Sequence, residues 1–282
     1  MSPPSMIAPD FGWARALSDD EWRKALGTGV YSDRHLPANP PASVQERYVG
    51  SSGTAAYLEA AAFWAHVKSI LAAAGHPITS DSRLLDFGVG WGRLYKYLFR
   101  DVSPKNIVGF DVAPEAISLC REAMPFGDFQ LIGPTPPYPP KYRNFDLIYL
   151  YSIFSHLSEN RFTTIVEALR DRLAVNGCIA FTTLLLAHVN VWARQTNDRF
   201  YGPALNTVGF DKAAWRTAGE RGDRALFVPI GGGSDILTAD YYGETILTEE
   251  YLKRKVRTLG FELLHFSEPK DLPQALAVLR KA

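Results

Sequence analysis

The stretch Leu84–Tyr97, which reads LLDFGVGWGRLYKY, constrains this chain more than any other part of its sequence. A short apolar run ends at an acidic residue, Asp86, and three glycines follow at alternate positions, Gly88, Gly90 and Gly92. A helical pattern of apolar residues comes next. Glycine suits such a turn because the backbone angles are costly for other residues and because a ligand can approach the main chain closely. The order of strand, glycine turn and helix is typical of a nucleotide-binding βαβ unit.

The next apolar run ends in a second carboxylate, Asp111, which can accept hydrogen bonds from both ribose hydroxyls of an adenosine. A nicotinamide-dinucleotide site would need glycines in the order G-x-G-x-x-G/A, so that a pyrophosphate can lie on the helix N-terminus. Counting from Gly88, the last position of that motif holds Arg93, and counting from Gly90 it holds Tyr95. The glycine order therefore excludes the dinucleotide motif.

The acid-x-G-x-G-x-G order of Asp86–Gly92 resembles motif I of the class I S-adenosylmethionine-dependent methyltransferases. The strand and loop in Asn144–Glu159 resemble motif IV of the same superfamily, whose strand end faces the transferring methyl group. Three shorter segments, together with the glycine loop, are similar to methyltransferases commonly encoded with glycosyltransferases and surface-polysaccharide enzymes. The segments are Arg47–Gly53, Phe154–Glu159 and Tyr242–Glu244. The similarity covers roughly residues 44 to 282. The chain departs from the family where Val175-Asn176-Gly177 stands in place of the frequent Pro-Gly-Gly.

This resemblance implies S-adenosyl-L-methionine as the cofactor and assigns roles to particular residues. The glycine loop would pass beside the amino-acid tail and the ribose, and Asp111 would bind the ribose hydroxyls. Asp86 would meet the ammonium directly or through water, although a helix-capping carboxylate is an alternative interpretation. Val112 would cover one face of the adenine, and Tyr149 belongs to the same candidate cofactor-binding set.

Apolar runs alternate with helical patterns along residues 83 to 279, which predicts a doubly wound α/β fold. The fold class implied is a mostly parallel seven-stranded sheet, the Rossmann-like methyltransferase fold, with an antiparallel last strand. Only seven residues, Ser267–Pro273, separate the last two strands, too few for a crossover helix, so the last strand must join antiparallel. The predicted strands are Arg83–Phe87, Ile107–Asp111, Asp128–Ile132, Phe145–Tyr151, Cys178–Leu184, Phe261–Phe266 and Gln274–Leu279.

The remaining segments set the domain organisation that we predict. Residues 1–53 form an N-terminal extension that is rich in proline, with one short helix around Glu21–Leu26 and an extended linker from Leu36 to Ala42. Residues 54–282 form the methyltransferase domain. Residues 188–247 interrupt the alternation of strands and helices, and we expect them to be a lid over the substrate, because binding loops collect at the carboxyl ends of strands.

Methyl transfer to a hydroxyl needs a base, because a neutral hydroxyl is a poor nucleophile. His156 follows the fourth strand and titrates near neutrality, which makes it the first candidate for that base. A loop histidine bonded to the backbone is an equally good interpretation of the same residue. Tyr151 and Ser152 are other groups that could face the acceptor, with core packing as the alternative for Tyr151. His188 is a second candidate base.

Tyr241, Tyr242 and Glu244 form, with Asp240, a cluster of polar and aromatic residues that suits stacking against a sugar and hydrogen bonding to it. A turn flanked by core tyrosines would have a similar sequence. The cluster therefore supplies candidate substrate-binding residues, not an assignment.

Composition restricts the partners. The chain has 30 Lys and Arg against 30 Asp and Glu, and this zero net charge argues against an extended nucleic-acid surface, which needs a local excess of cations. The two cysteines lack metal-ligand spacing, so we predict no metal. The longest apolar stretch is too short and too polar to span a bilayer. We therefore expect a cytoplasmic protein with no membrane span, and the oligomeric state stays open.

These observations together predict an enzyme that O-methylates a hydroxyl of a sugar or glycan. The acceptor rests mainly on the resemblance, since the residues by themselves do not identify it. The alternatives are a methyltransferase of a small natural product and a non-catalytic module that binds S-adenosylmethionine.

Overall fold

A computed structural model describes residues 8–282, so residues 1–7 of the predicted N-terminal extension lie outside the described residues. The elements of the first half of the chain are α1 (Asp19–Thr28), β1 (Val30–Tyr31), β2 (Arg34–His35), α2 (Ala42–Val49), α3 (Leu58–Ala73), β3 (Leu84–Phe87), α4 (Arg93–Tyr97), β4 (Ile107–Asp111), α5 (Pro114–Ala123), β5 (Asp128–Leu131) and β6 (Phe145–Leu150). Those of the second half are α6 (Glu159–Arg170), β7 (Leu173–Thr183), α7 (Val189–Arg194), α8 (Tyr201–Thr207), α9 (Lys212–Arg221), β8 (Leu226–Val228), β9 (Glu244–Ile246), α10 (Glu249–Thr258), β10 (Phe261–Ser267) and β11 (Ala275–Lys281).

Seven of these strands form one mixed sheet in the order β10-β11-β7-β6-β3-β4-β5. Strand β3 pairs in parallel with both β4 and β6, and β4 pairs in parallel with β5. Strand β11 runs antiparallel to both β10 and β7. The predicted fold class, a doubly wound sheet with an antiparallel last strand, is confirmed, and the short connection before β11 is the physical reason for the reversal.

The boundary between α6 and β7 differs from the prediction. Spacings of three and four extend the helical pattern to Leu173, but the helix ends at Arg170 and Leu173 begins β7, five residues before the predicted strand start at Cys178. The side chain of Arg172 donates hydrogen bonds to the carbonyls of Tyr138, Pro139 and Tyr142. Arg172 lies just after the end of the helix and contacts this proline-rich segment. Helical periodicity does not reveal a tertiary contact of this kind.

The contacts divide the chain into two compact units, and each is described by itself. The first unit comprises Met1–Ile132, described from residue 8 onward, with Phe145–Tyr149. Within it, the predicted N-terminal extension packs on the α4 region. The indole nitrogen of Trp22 donates to the carbonyl of Tyr97 at 2.8 Å, and the ring of Phe11 stacks on that of Phe99 with centroids 4.8 Å apart.

The segment predicted as an extended linker, residues 36–42, is tied to this unit. It has no regular structure before α2, as its prolines require, yet Leu36 is buried. Asn39 donates its side-chain amide to the carbonyl of Leu26 at 2.7 Å and accepts from the hydroxyl of Tyr57 at 2.8 Å. An apolar anchor and paired amide groups tie this extended segment to the packed unit.

Lys96 on α4 is the deepest cation in this unit. Its side chain is fully buried, and Nζ donates to the carbonyl of Ala38 at 3.1 Å and to Oδ1 of Asn39 at 2.7 Å. Nζ also lies 4.5 Å from the centre of the Trp91 ring. No carboxylate pairs with it among the bonds of the described residues, and burial lowers the pKa of Lys96 to about 7.

The second unit comprises Gly133–Asn144 and Leu150–Ala282 and contains the predicted lid. The lid segment folds into α7, α8 and α9 and the antiparallel pair β8 and β9. These elements enclose a hydrophobic cluster of their own, formed by Val189, Trp192, Leu205, Trp215, Leu226, Val228 and Ile246. Its two tryptophans are therefore used for packing within the insertion.

No helix within residues 8–282 is both long enough and apolar enough to cross a membrane.

The burial of Lys96 makes the stability of the protein depend on pH. The folded chain holds this amine neutral above about pH 7, whereas in the unfolded chain it stays protonated up to its ordinary value of 10.5. The unfolded state therefore binds more protons between these values, and stability rises with pH. We expect wild type to gain about 1.4 kcal/mol per pH unit relative to Lys96→Met between pH 7.5 and 9.5.

Urea denaturation of both proteins at several pH values measures this difference. Lys105→Met, which replaces an exposed lysine in the same unit, is the matched control and should follow wild type. A difference between wild type and Lys96→Met that stays constant with pH would contradict the titration of Lys96.

Candidate active site

The glycine loop after β3 adopts the backbone conformation that its sequence predicts. Gly88, Gly90 and Gly92 have φ angles of 86°, 53° and 82°, all in the left-handed region. The amides of Gly88 and Val89 donate to the carbonyl of Phe110 at 2.8 and 2.9 Å. A Cβ atom at Gly92 would lie 2.6 Å from Cε of Met124. The loop thus lies against β4 and α5, at the carboxyl end of the parallel strands.

Asp111 at the end of β4 holds this loop. Its Oδ2 accepts the amide hydrogen of Gly90 at 2.8 Å, and its Oδ1 accepts that of Ala113 at 2.9 Å. Burial raises the pKa of this carboxyl, and the bonds from the backbone amides act in the opposite direction. Each carboxylate oxygen has a second lone pair, so Asp111 can still accept hydrogen bonds from a ligand.

Asp86 in β3 is buried, with 2% of its surface exposed, and its Oδ2 has no hydrogen-bond partner among the described residues. Burial raises the pKa of this carboxyl to about 8, against an opposing effect of the Tyr149 hydroxyl. The N-cap of α4 is Gly92 and receives no side-chain bond, so Asp86 does not cap that helix. An orphaned buried carboxylate oxygen suits a cationic group.

Tyr48 on α2 joins this site, although sequence reasoning assigned it no role. Its Cδ1 atom lies 3.4 Å from the position that a Cβ atom of Gly90 would take. Burial, with the nearby carboxylates of Glu115 and Asp111, raises the pKa of its hydroxyl to about 12. Arg47 pairs with Glu115 on α5 at 2.5 Å. The signal for Tyr48 was its place in the segment Arg47–Gly53. Val112 lies half-buried directly after Asp111.

In the second unit, His156 lies in the loop between β6 and α6, and its orientation is fixed. Its Nδ1 is 2.9 Å from the carbonyl oxygen of Gly243, which only accepts, so Nδ1 carries the hydrogen and Nε2 has a free lone pair. The amide of Gly243 donates to the carbonyl of His156 at 2.7 Å, and the ring stacks on Tyr242 with centroids 5.2 Å apart. Burial lowers the pKa of His156 from 6.5, whereas the Gly243 bond and Glu244 raise it.

A serine and a glutamine surround the free face of His156. Oγ of Ser152 lies 3.5 Å from Nε2 of His156 and 3.3 Å from Oγ of Ser155. Gln274, directly before β11, donates its Nε2 to Oγ of Ser152 at 3.0 Å. We refer to Ser152, Ser155, His156 and Gln274 as the His156 cluster. Gln274 escaped sequence reasoning, because a glutamine before a terminal strand has no distinguishing pattern.

The other predicted catalytic and substrate-binding residues are placed differently. Glu244 at the start of β9 accepts bonds from His188 at 3.1 Å, Trp192 at 2.5 Å and the Tyr201 hydroxyl at 2.8 Å. Burial alone raises the pKa of Glu244, but these three donors lower it overall. The carboxylate is thus occupied within the insertion, and His188 is held there by its Nε2.

Tyr241 and Tyr242 are neighbours in the sequence but have different surroundings. The Tyr241 side chain is buried, its hydroxyl donates to the carbonyl of Ile236, and Arg161 lies 4.3 Å from its ring centre. Tyr242 is half-buried and touches His156. Tyr151, the residue directly after β6, is partly exposed. Only Tyr242 of the three predicted substrate-binding residues therefore contacts the His156 cluster.

Within residues 8–282 no group of three or more His, Cys, Asp or Glu side chains could hold a metal ion.

Comparison with known proteins shows which proteins this part of the chain is similar to. Residues 85–179, which contain the glycine loop, Asp111 and the loop of His156, match a family model described as a methyltransferase domain. This segment is therefore similar to the methyltransferase domains of that family. The match supports an enzyme of the methyltransferase class.

Solved structures share the fold of this methyltransferase at low sequence identity. A Listeria monocytogenes protein, provisionally described as an S-adenosylmethionine-dependent methyltransferase, is 14% identical, with a TM-score of 0.52 over 79% of this chain and 99% of its own. An S-adenosylmethionine-dependent methyltransferase from Mesorhizobium loti has 14% identity and a TM-score of 0.50, covering 79% and 100%. The N-methyltransferase NodS from Bradyrhizobium japonicum WM9, solved with S-adenosyl-L-homocysteine, has 12% identity and a TM-score of 0.50, covering 85% and 97%. No curated protein sequence matches the chain.

The residues of the first unit fit S-adenosylmethionine, the cofactor that the resemblance of the glycine motif implies. The left-handed glycines leave the main chain open to close approach, and Asp111 retains acceptor capacity. The orphaned oxygen of Asp86 offers a partner for a cation. These carboxyl oxygens can accept hydrogen bonds from the hydroxyl and ammonium groups of the cofactor.

Substitution of Gly90 tests this loop. Gly90→Val forces a branched side chain into a left-handed conformation and toward Tyr48, so the main chain closes to the ligand. We expect the affinity for S-adenosylhomocysteine, measured by calorimetry, to fall by about tenfold or more, equivalent to 1.4 kcal/mol.

Gly29→Val is the matched control. Gly29 has a φ angle of 76°, and nothing lies within 4 Å of its Cβ position, so this change brings similar backbone strain at the end of α1. It should retain the affinity. Equal loss of binding in both variants, or none in Gly90→Val, would count against the loop as the cofactor site.

Proposed function

We propose that this methyltransferase transfers a methyl group to a hydroxyl of a sugar, free as a nucleotide sugar or carried on a glycan or glycoside. The observation that carries the proposal is the orientation of His156. Its Nδ1 is committed to Gly243, so its Nε2 offers a lone pair at the surface of a polar cluster. An alcohol acceptor needs such a base, whereas a neutral amine is nucleophilic by itself.

We assign the cofactor contacts to the first unit. The glycine loop and Asp111 bind the ribose and tail, Asp86 with Tyr149 receives the ammonium, and Val112 covers the adenine. When bound, S-adenosylmethionine supplies a methyl group on a positively charged sulfur. The assignment of Asp86 is supported by its unpartnered Oδ2 and by the absence of a capping role.

The residues of the His156 cluster then have defined tasks. Nε2 of His156 accepts the proton of the acceptor hydroxyl, and the Gly243 carbonyl stabilises the imidazolium that results. Tyr242 keeps the ring in its plane by stacking. Because burial keeps the imidazole neutral at pH 7, the base is in its competent form under ordinary conditions.

The sugar acceptor is supported by the three sequence segments that resemble methyltransferases encoded with surface-polysaccharide enzymes. The zero net charge disfavours a nucleic acid. A small natural product with a hydroxyl is the competing acceptor. Labelled cofactor with a panel of glycosides, nucleotide sugars and natural-product alcohols separates the two. Transfer to the natural products alone would overturn the sugar proposal.

Replacing the base should separate chemistry from cofactor binding. We expect His156→Ala to lower kcat by about a hundredfold or more, the usual contribution of general-base assistance, with unchanged affinity for S-adenosylhomocysteine. His35→Ala, which removes an exposed histidine of β2, should leave both quantities unchanged. Loss of thermal stability together with activity in His156→Ala would indicate a structural histidine instead.

The pH profile gives a second measurement on the same residue. Protonated His156 cannot accept a proton, and burial lowers its pKa from 6.5, so kcat should fall only as the pH drops below 6.5. This acid limb should vanish in His156→Ala. A profile that still falls at the same pH in the variant would assign the limb to another group.

The pKa of Asp86 predicts how cofactor binding depends on pH. The carboxyl is mostly protonated at pH 7, because burial raises its pKa to about 8, and a cationic ammonium requires the ionised form. Binding of S-adenosylhomocysteine at pH 7 should therefore release close to one proton, and affinity should rise between pH 6 and 8 by up to about tenfold per unit. Calorimetry in buffers of different ionisation enthalpy measures the release. The Asp86→Asn variant should bind S-adenosylhomocysteine without releasing this proton. An unchanged proton release in that variant would exclude Asp86 as the group that ionises.

A further inference from the structure

Ser152 has a backbone conformation that a serine rarely adopts. Its φ angle is +58°, in the left-handed region, directly after Tyr151 at the end of β6. Its amide donates to Oγ1 of Thr182 on β7 at 2.8 Å, and this bond helps to hold the turn. Such conformations persist only where the surroundings impose them, and they concentrate at functional sites. The turn places the Ser152 hydroxyl between His156 and Gln274.

The direction of each hydrogen bond in the cluster follows from chemistry. Gln274 Nε2 only donates, so Oγ of Ser152 accepts from it at 3.0 Å. Ser152 keeps its own hydrogen for Ser155 or for Nε2 of His156, and the distance to that nitrogen is 3.5 Å. That distance is long for a hydroxyl donor, so an acceptor hydroxyl can still take the lone pair of His156.

Gln274 is left with an unused group. Its Oε1 is buried and has no hydrogen-bond partner among residues 8–282. A buried carbonyl oxygen without a donor costs free energy, and a bound ligand that donates to it recovers that cost. The bond from the Gln274 amide nitrogen to Ser152 restricts the orientation of the amide group, and with it that of Oε1.

We propose that Gln274 is a specificity-determining residue, positioned by Ser152, and that its Oε1 accepts a hydrogen bond from a second hydroxyl of the acceptor, adjacent to the one that His156 deprotonates. The inference rests on the proposed function and narrows it to acceptors with a vicinal diol. Nε2 of His156 lies 3.5 Å from Oγ of Ser152 and Nε2 of Gln274 lies 3.0 Å from the same oxygen, so both side chains contact one hydroxyl. Sites built to bond a hydroxyl reject analogues that lack it.

The proton of the first hydroxyl passes to Nε2 of His156, and its oxygen would gain the methyl group that S-adenosylmethionine loses in becoming S-adenosylhomocysteine. The second hydroxyl keeps its proton and donates it in a hydrogen bond to Oε1 of Gln274. Glu244, Tyr242 and the hydroxyls of Ser152 and Ser155 are the polar or titratable groups around the imidazole. None of these changes its charge in the step.

The test uses the full-length enzyme with labelled cofactor and paired acceptors, each diol matched with its monodeoxy analogue. One set consists of methyl glycosides and the other of aromatic diols with the corresponding phenols. Wild type should prefer the diols by about tenfold or more in kcat/KM, and Gln274→Met should bring that ratio close to one. Affinity for S-adenosylhomocysteine should stay unchanged in the variant.

Gln195→Met is the matched control, because Gln195 also has a buried Oε1 without a partner but lies at the end of α7, outside the cluster. It should keep the diol preference. Nitrogen-15 NMR of the histidines supplies a readout besides activity. Wild type and Gln274→Met should both show hydrogen at Nδ1 of His156, and Ser152→Ala should lower the diol preference as Gln274→Met does.

Each outcome bears on a different claim. Methylation of sugars with a diol preference that survives Gln274→Met overturns the inference and leaves the sugar function intact. Methylation of aromatic diols alone, with the preference lost in Gln274→Met, overturns the sugar function and supports the inference. Loss of the preference in Gln195→Met as well would show a general stability effect and overturn the assignment. Failure of every acceptor while S-adenosylhomocysteine still binds overturns both.

Discussion

The hydrogen bond from the Gly90 amide to Asp111 is the interaction on which the cofactor site depends. It joins the turn after β3 to the end of β4 at 2.8 Å, and the second oxygen of the same carboxylate holds the amide of Ala113 before α5. One side chain thereby fixes the loop, the strand end and the following helix. Because two parallel strands end side by side, a carboxylate on one reaches the backbone of the other without distortion.

Gly243 plays the corresponding part in the second unit. It exchanges two hydrogen bonds with His156, one through the backbone and one through the imidazole, and so determines which ring nitrogen is free. A Cβ atom here would lie 2.0 Å from the carbonyl oxygen of Val228, so only glycine allows β8 to approach. The insertion, with its own apolar cluster, thus supplies the residue that orients the candidate base.

Two of the buried polar groups without a partner lie where we place binding, in Asp86 and in Gln274. Asp86 and Gln274 each present an unpartnered oxygen, whereas Glu244 is satisfied by three donors. A satisfied carboxylate stabilises the insertion, and an unsatisfied one costs free energy until a ligand arrives. The pairing of Glu244 and the unpaired oxygens of Asp86 and Gln274 are set by tertiary contacts, which the sequence pattern does not reveal.

The sequence by itself determined the sheet, its antiparallel last strand and the glycine loop with Asp86 and Asp111, because these depend on local periodicity and on residues next to one another in the chain. Tertiary structure decided the rest. Just after the end of α6, Arg172 donates hydrogen bonds to carbonyls more than thirty residues away in the sequence. The extended segment of residues 36–42 is bound by Lys96. The free nitrogen of His156 depends on Gly243, 87 residues further on, and its neighbour Gln274 has no local signature. Contacts of this range are set by packing, which a single sequence does not display.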